Sequence, residues 1–251
     1  MNNIDDDATA LVIDSGSNLT RAGFAGDDAP RSVFHSMIGR PKVPGVMVGL
    51  DQREVYVGDE AAKKRGVLHL EWPMQRGEVL DWDAYEKILH FTFYRELQIA
   101  PEEHPILLTE APQTPVTQKE KMLQILFEVF NVQALYVSQQ GVLELYASGR
   151  YSGLVLDSGD GISYAVPVYE GFALPHGVQK MPVAGRDVTE RFGKMLMAQR
   201  GLRFSTPTEL EQVREVKENL CYVALDYEAE CAKKEEFAEY KLPDGIKLRC
   251  G

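Results

Sequence analysis

At 251 residues with a formal net charge of −11, the chain is long enough to bury a substantial core and too acidic for nonspecific nucleic-acid binding, which needs clustered Lys and Arg to displace counterions. Hydrophobic residues at 44% and charged residues at 26% are ordinary for a soluble globular protein, and no apolar run approaches the roughly 18 to 20 residues of a membrane span. Cys221, Cys231 and Cys250 fit neither a zinc site nor a disulfide framework and read as free thiols in a reducing compartment, and the five histidines are scattered with no metal-binding spacing.

Residues 1–7 are polar and acidic, without the basic and apolar regions of a secretory signal, so a cytoplasmic location is expected. Asp5, Asp6 and Asp7 read as a solvated tip, and the overall acidity favours basic partners. Leu11-Val12-Ile13-Asp14-Ser15-Gly16 is a buried-strand run entering a Ser-Gly turn, followed by an alternating run over 19–25, which together predict a β-hairpin. Residues 42–58 carry Pro44, Gly45, Gly49 and Gly58 around Val46-Met47-Val48 and Val55-Tyr56-Val57. They predict a small strand pair with an exposed, partner-docking loop, or else an ordinary hairpin with Met47 in the core. The stretch 83–97 reads as a helix, 106–109 as a strand, and 116–130 as an amphipathic helix with Met122, Leu123, Leu126, Phe127 and Phe130 inward and Gln118, Lys119, Lys121 and Gln124 outward. A short strand at 134–137 precedes a helix over 139–148 that Gly149 ends.

The next segment repeats the first. Leu154-Val155-Leu156-Asp157-Ser158-Gly159 matches residues 11–16, and a second alternating run follows over 162–169. Two such hairpins far apart predict two related halves. Helices are expected over 188–200 and 207–226, and a strand, turn and return strand over 240–249 with little to pack against. The mixture is α/β.

The repeat carries chemistry. Backbone N–H donors reach a phosphate chain only where Gly and small residues permit close approach, and Ser15-Gly16-Ser17 and Ser158-Gly159-Asp160-Gly161 supply two such loops. Facing tips would clamp phosphates from both sides. Asp14 and Asp157 stand where each strand meets its loop, the place for carboxylates that orient a hydrated divalent cation. One Asp-Ser-Gly alone is common turn chemistry, and the repeated context strengthens the reading.

The paired loops resemble those of the superfamily of actins, heat-shock chaperone ATPases and sugar kinases. Further blocks resemble the actin family itself: Ala22-Gly23-Phe24-Ala25-Gly26-Asp27-Asp28-Ala29-Pro30-Arg31, Tyr56-Val57-Gly58-Asp59-Glu60-Ala61, Pro101-Glu102-Glu103-His104-Pro105, Leu107-Leu108-Thr109-Glu110-Ala111-Pro112, Leu145-Tyr146-Ala147-Ser148-Gly149-Arg150, Tyr169-Glu170-Gly171, Ala184-Gly185-Arg186-Asp187 and Leu220-Cys221-Tyr222-Val223-Ala224-Leu225-Asp226. The resemblance runs from about residue 10 to 245 and implies duplicated halves of ribonuclease-H-like α/β architecture around a nucleotide cleft. It implies ATP or ADP with Mg²⁺ or Ca²⁺, slow hydrolysis, self-assembly into filaments, actin-binding partners and a cytoskeletal location. It also implies a division into a first-lobe core (1–36 and 72–148), a small domain with the docking loop (37–71), a second-lobe core (149–184) and a helical outer domain (185–251), the chain being C-terminally truncated relative to the family. By position, Asp14 and Asp157 resemble the carboxylates around the hydrated cation, and Gly16, Ser17, Asn18 and Arg21 the first phosphate loop. Gly159, Asp160 and Gly161 resemble the second loop, Gln140 the glutamine that positions the attacking water, Arg214, Lys217 and Glu218 the helix beside the nucleoside, and residues 42–51 the loop that docks on the next subunit.

The departures bear on activity. Asn18 replaces a loop glycine, Arg21 a phosphate-contacting lysine, Arg76 a modified histidine, Asp51 a docking-loop glycine, and Tyr164 the histidine near the attacking water. Tyrosine, with a pKa near 10, is a poor proton acceptor at neutral pH. Taken singly, Gln140 reads rather as a helix cap or a solvent-facing residue, Arg21 and the Lys217–Glu218 pair as solvated charges, and Tyr164 as a half-buried strand aromatic. Two function classes fit: an ATP-hydrolysing cytoskeletal protein, and an actin-related interaction module that binds nucleotide weakly and neither polymerises nor hydrolyses efficiently. A sugar kinase is a distant third, since no sugar site is evident.

Overall fold

The computed structural model describes residues 9–43, 53–204, 206–233, 238–242, 245 and 247–250. They fall into two compact units, 1–185 and 186–251. In the first unit, β1 (Leu11–Ser15) and β2 (Leu19–Phe24) form the first predicted hairpin, with Asp14 directly opposite Arg21. The strand β3 (Ser32–His35) extends it, and β4 (Ile38–Pro41) starts a smaller sheet. There β5 (Tyr56–Val57) and β6 (Leu68–Glu71) flank β4, with α1 (Gly58–Lys63) packed beside them and Met37, Tyr56, Ala61, Leu68 and Leu70 buried between. Val55-Tyr56-Val57 therefore pairs, through Tyr56 and Val57, with Ile38 and Gly39, and the expected strand at Val46-Met47-Val48 and most of the docking loop, including Asp51, lie outside the described residues.

The short strands β7 (Met74–Gln75) and β8 (Glu78–Val79) are joined by Arg76 at φ 52° and Gly77 at φ 80°. Two successive left-handed residues match the twist of a tight hairpin turn. Asp81 caps α2 (Trp82–Phe91), accepting a hydrogen bond from Ala84 N at 3.0 Å. The expected 83–97 helix continues as a wider π-type turn over Thr92–Leu97. Next, β9 (Ile106–Glu110) lies parallel to β1, and α3 (Val116–Gln124) crosses over to β10 (Leu135–Gln139), giving the sheet order β10-β9-β1-β2-β3. One face of this sheet packs on α2 and on the wider turns that continue α2 and α3, through Leu11, Ile13, Tyr85, Leu89, Phe93, Ile106, Leu108 and Leu126.

The 116–130 helix departs from its pattern. After Gln124 it widens into a π-type turn over Ile125–Val129, which resets the phase. Ile125, Leu126 and Phe130 are buried while Leu123 and Phe127 are exposed. Gln118 and Lys119 are also not free outward groups: Gln118 exchanges hydrogen bonds with the Val79 backbone, and Lys119 pairs with Glu110 at 2.8 Å.

The helix α4 (Gln140–Ala147) ends at Gly149, φ 74°, and leads to β11 (Gly153–Ser158) and β12 (Ser163–Tyr169), the second predicted hairpin. The strands β13 (Phe172–Ala173) and β14 (Gln179–Met181) both pair with β12. The two halves share their hairpins and differ in packing. Leu11 and Ile13 are fully buried, whereas their counterparts Leu154 and Leu156 are 71% and 76% exposed. The reason is topological: β1 lies between β9 and β2, whereas β11 has β12 as its neighbour among the described strands.

In the second unit, α5 (Gly185–Arg200) and α6 (Pro207–Leu220) are joined by a segment in which Thr206 and Glu209 form a reciprocal capping box at the start of α6. The expected 207–226 helix stops at Leu220: Cys221 is extended, Tyr222 and Val223, poor helix formers, lie outside the helix and are exposed, and Asp226 instead caps the short α7 (Tyr227–Cys231). The strands β15 (Ala238–Lys241) and β16 (Lys247–Cys250) pair antiparallel. Contrary to the expectation that this hairpin has little to pack against, Leu242 and Leu248 are buried with Leu196, Val213 and Val216. Replacing Leu248 with Ala removes a buried side chain and is expected to lower stability by about 2–5 kcal/mol. Denaturant unfolding of the two proteins checks this, and equal midpoints with equal slopes would show that the hairpin is not packed.

Candidate functional site

The first unit holds a cavity of about 570 Å³, within the range of small-molecule sites. Its walls come from the two hairpin tips, the ends of β9 and β10, the start of α4 and the β7–β8 turn. Each tip is tied in the same way: Gly16 N–H donates to Leu19 O at 2.9 Å, and Gly159 N–H to Ile162 O at 3.1 Å. The tips meet. A Cβ added at Gly161 would lie 2.7 Å from Arg76 N and 2.8 Å from Ser17 Oγ, so only glycine fits there. Ser17 Oγ in turn accepts the Gly77 N–H at 3.3 Å, which seats the β7–β8 turn against the first loop. Arg76 reaches across to donate to Pro182 O at 2.8 Å.

Asp14 is the centre of the polar network. Its Oδ1 accepts from Thr109 Oγ1 at 2.6 Å and from Gln140 Nε2 at 2.9 Å, and its Oδ2 pairs with Arg21 Nη1 at 3.0 Å. Gln140 thus donates to Asp14 rather than capping its helix, and Arg21 is held by Asp14. Behind them the buried Tyr85 hydroxyl donates to Ser15 Oγ at 3.3 Å. Burial pushes the Tyr85 phenol up to about 12, and the Asp14 charge adds to the effect against the Ser15 hydrogen bond.

The second half is less balanced. Asp157 lies opposite Tyr164 in the β11–β12 register, where Asp14 has Arg21. Burial, then the Asp14 charge, raises the Asp157 carboxyl above its ordinary value, with the Ser158 backbone and Arg21 opposing. Tyr164 is fully packed rather than half-buried, and burial followed by the charges of Asp157 and Glu78 pushes its phenol up to about 12. Glu144, one turn beyond Gln140 on α4, also fronts the cavity, and burial followed by Asp157 and Asp14 raises its carboxyl.

The structure therefore brings Asp14, Gly16, Ser17, Asn18, Arg21, Gln140, Asp157, Gly159, Asp160 and Gly161 to one cavity. Arg214, Lys217 and Glu218 belong to α6 of the second unit, where Arg214 pairs with the buried Glu211 and lies 3.9 Å from Glu218. Sequence reasoning missed Thr109 and Glu144. Thr109 was findable, because β9 is parallel to β1 and the carboxyl ends of adjacent parallel strands are where α/β sheets place ligands. Glu144 stands four residues after Gln140, hence on the same helix face.

A family model described as Actin matches residues 5–251 of the chain.

Two outcomes follow from the electrostatics. Because its folded value lies above the ordinary 3.8, Asp157 contributes stability that is present below that value and lost as pH rises through the folded one. Asp157→Asn is therefore expected to raise the thermal midpoint of the ligand-free protein at pH 7, with the gain shrinking toward pH 5; a lower midpoint at both pH values would contradict the assignment. For Tyr85 and Tyr164, both held at about 12, the stabilisation is complete below about pH 10 and disappears as pH rises to about 12. In an alkaline ultraviolet titration these two should ionise after the other tyrosines, in step with unfolding, and replacing either with Phe should remove one late-titrating group.

Proposed function

The chain belongs to the actin family, and on that premise we propose that its cavity binds an adenine nucleotide with a divalent cation, and that the protein is a cytoplasmic, cytoskeletal ATPase that assembles with copies of itself and with actin-binding partners. The observation that carries this reading is the meeting of the two glycine-bearing hairpin tips, Ser17 against Gly161, above Asp14 and Asp157. Backbone N–H groups at such tips suit phosphate oxygens on both sides.

The donor set fits a hydrated cation. The Asp14 charge raises the cost of ionising Asp157 across a half-buried cavity, and a divalent charge between them would relieve that cost. Both would act through water. The cation supplies charge neutralisation on the phosphate chain. The remaining work falls to the chain itself. Ser17 and the tip amides hold phosphate oxygens. Arg21, already paired with Asp14, adds positive charge at the mouth of the first loop. Gln140 donates its amide N–H to Asp14, which fixes the side chain and leaves its carbonyl oxygen to accept from a water in line with the terminal phosphate. Arg214, Lys217 and Glu218 would border the nucleoside, and the fourfold division into 1–36 with 72–148, 37–71, 149–184 and 185–251 is part of the same proposal. So is docking through residues 42–51. No described helix is long and apolar enough to cross a membrane.

One observation favours the second reading, an interaction module that hydrolyses poorly: Tyr164, opposite Asp157, is held at about 12 and takes no proton near neutrality. High-speed pelleting with Mg-ATP separates the two classes. Nucleotide binding is tested first. Asp14→Asn and Asp157→Asn should each weaken Mg-ATP binding by about 1–3 kcal/mol, the scale of a lost charge-assisted contact. Calorimetric affinities equal to the parent's in both variants would place the nucleotide elsewhere.

A further inference from the structure

Hydrolysis of a terminal phosphate by water releases a proton that some group at the cavity must take. Among the titratable side chains that line it, Asp14, Asp157, Tyr164 and Glu144 interact through their charges, whereas Glu110 is paired with Lys119 and Asp160 belongs to the second tip. Asp14 has both oxygens engaged, by Thr109, Gln140 and Arg21. Tyr164 holds its own proton and has none to accept. Asp157 faces the position assigned above to the hydrated cation, where its charge is wanted unprotonated. Glu144 differs from all three. Its carboxylate takes no hydrogen bond or ion pair from the described residues. It lies on α4 exactly one helical step of four residues after Gln140, so the two side chains share a face. Side chains on a helix lean toward its N-terminus, which carries the Glu144 carboxylate back over the turn that bears Gln140.

We propose that Glu144 is the proton acceptor for the water that Gln140 orients, an inference that rests on the nucleotide reading given above. The water oxygen bonds to the terminal phosphorus as the bond from phosphorus to the bridging oxygen breaks, and that oxygen leaves with the electron pair as part of ADP. The water proton passes to a Glu144 oxygen and then to the released phosphate, restoring the carboxylate. The groups that face Glu144 set its basicity: Asp157 from β11 and Asp14 from β1 oppose its ionisation, while Arg21 from β2 and the Lys119–Glu110 pair from α3 and β9 complete the charged lining. A glutamate here supplies what Tyr164 cannot.

The test compares the parent with Glu144→Gln, which keeps the shape and removes the proton acceptor. Phosphate release is measured at saturating Mg-ATP from pH 5.5 to 9, and affinity by titration with a fluorescent ATP analogue. The variant is expected to bind the analogue as the parent does, to turn over about 10²-fold more slowly, and to lose the fall in rate on the acid side. The kept affinity also shows that the variant is folded. Parent-like turnover and pH profile in Glu144→Gln would overturn the proposal, as would a parent that binds Mg-ATP yet releases no phosphate at any pH. Failure of the parent to bind nucleotide would instead overturn the reading on which this inference rests.

Discussion

The carboxylate of Asp14 ties three elements of the first unit together. It draws a hydroxyl from β9, an amide from α4 and a guanidinium from β2. Such a network costs more to break than its pairwise bonds suggest, since each donor would be left half-buried and unpaired. The same charge reaches outward: it adds to the upward shift of Tyr85 behind it and of Asp157 and Glu144 across the cavity. Asp14 therefore does two jobs. It locks the end of the parallel strands to the start of α4, and it loads the cavity with negative potential that favours a cation.

The internal repeat makes the asymmetry of that loading visible. The two hairpins place an aspartate at the same step, yet the cross-strand partner is Arg21 in one half and Tyr164 in the other. Cross-strand neighbours lie about 5 Å apart, close enough for an arginine to pair with the first carboxylate, while the second faces a phenol that holds its proton. Packing diverges in parallel. Leu11 and Ile13 are sealed under α2 and beside β9, while Leu154 and Leu156 face outward beyond the β11 edge. The repeated sequence specifies a hairpin and a loop; it does not specify the neighbours that each hairpin receives.

That distinction explains what was legible in the sequence. Strand–turn–strand signals are local, so both hairpins and their loop glycines could be read directly, as could α4 and its Gly149 stop. Amphipathic phase is local only while the helix stays regular. The π-type turn after Gln124 inserts an extra residue into the helical period, so one regular stripe does not run through it: Leu126 and Phe130 are buried as expected and Phe127 is exposed, while Leu123, ahead of the turn, is exposed as well. The packing of Leu242 and Leu248 was illegible for a different reason: their partners, Leu196, Val213 and Val216, lie on two helices that no short-range pattern links to the terminal hairpin. At the site, residues inside the motifs were found, whereas Thr109 and Glu144 entered only through tertiary placement at the end of a neighbouring strand and on the face of a helix.

The close approach of the tips is set as much by what is missing as by what is present. Gly161 has no side chain, and Arg76 N and Ser17 Oγ occupy the space that one would need. Arg76 and Gly77 both adopt left-handed backbone, and only for Arg76 does that carry a steric cost, of order 1 kcal/mol. The cost is offset by the Arg76 hydrogen bond to Pro182 and by the Gly77 N–H bond to Ser17. The β7–β8 turn is thus wedged between the loops of the two halves and touches both. Any shift of one tip relative to the other must displace this turn, because its backbone is already at contact distance from Gly161 and hydrogen-bonded to Ser17. A phosphate oxygen can accept from the Ser17 hydroxyl while Oγ still accepts the Gly77 N–H, so a ligand on the first tip and the position of the turn are linked through a single hydroxyl.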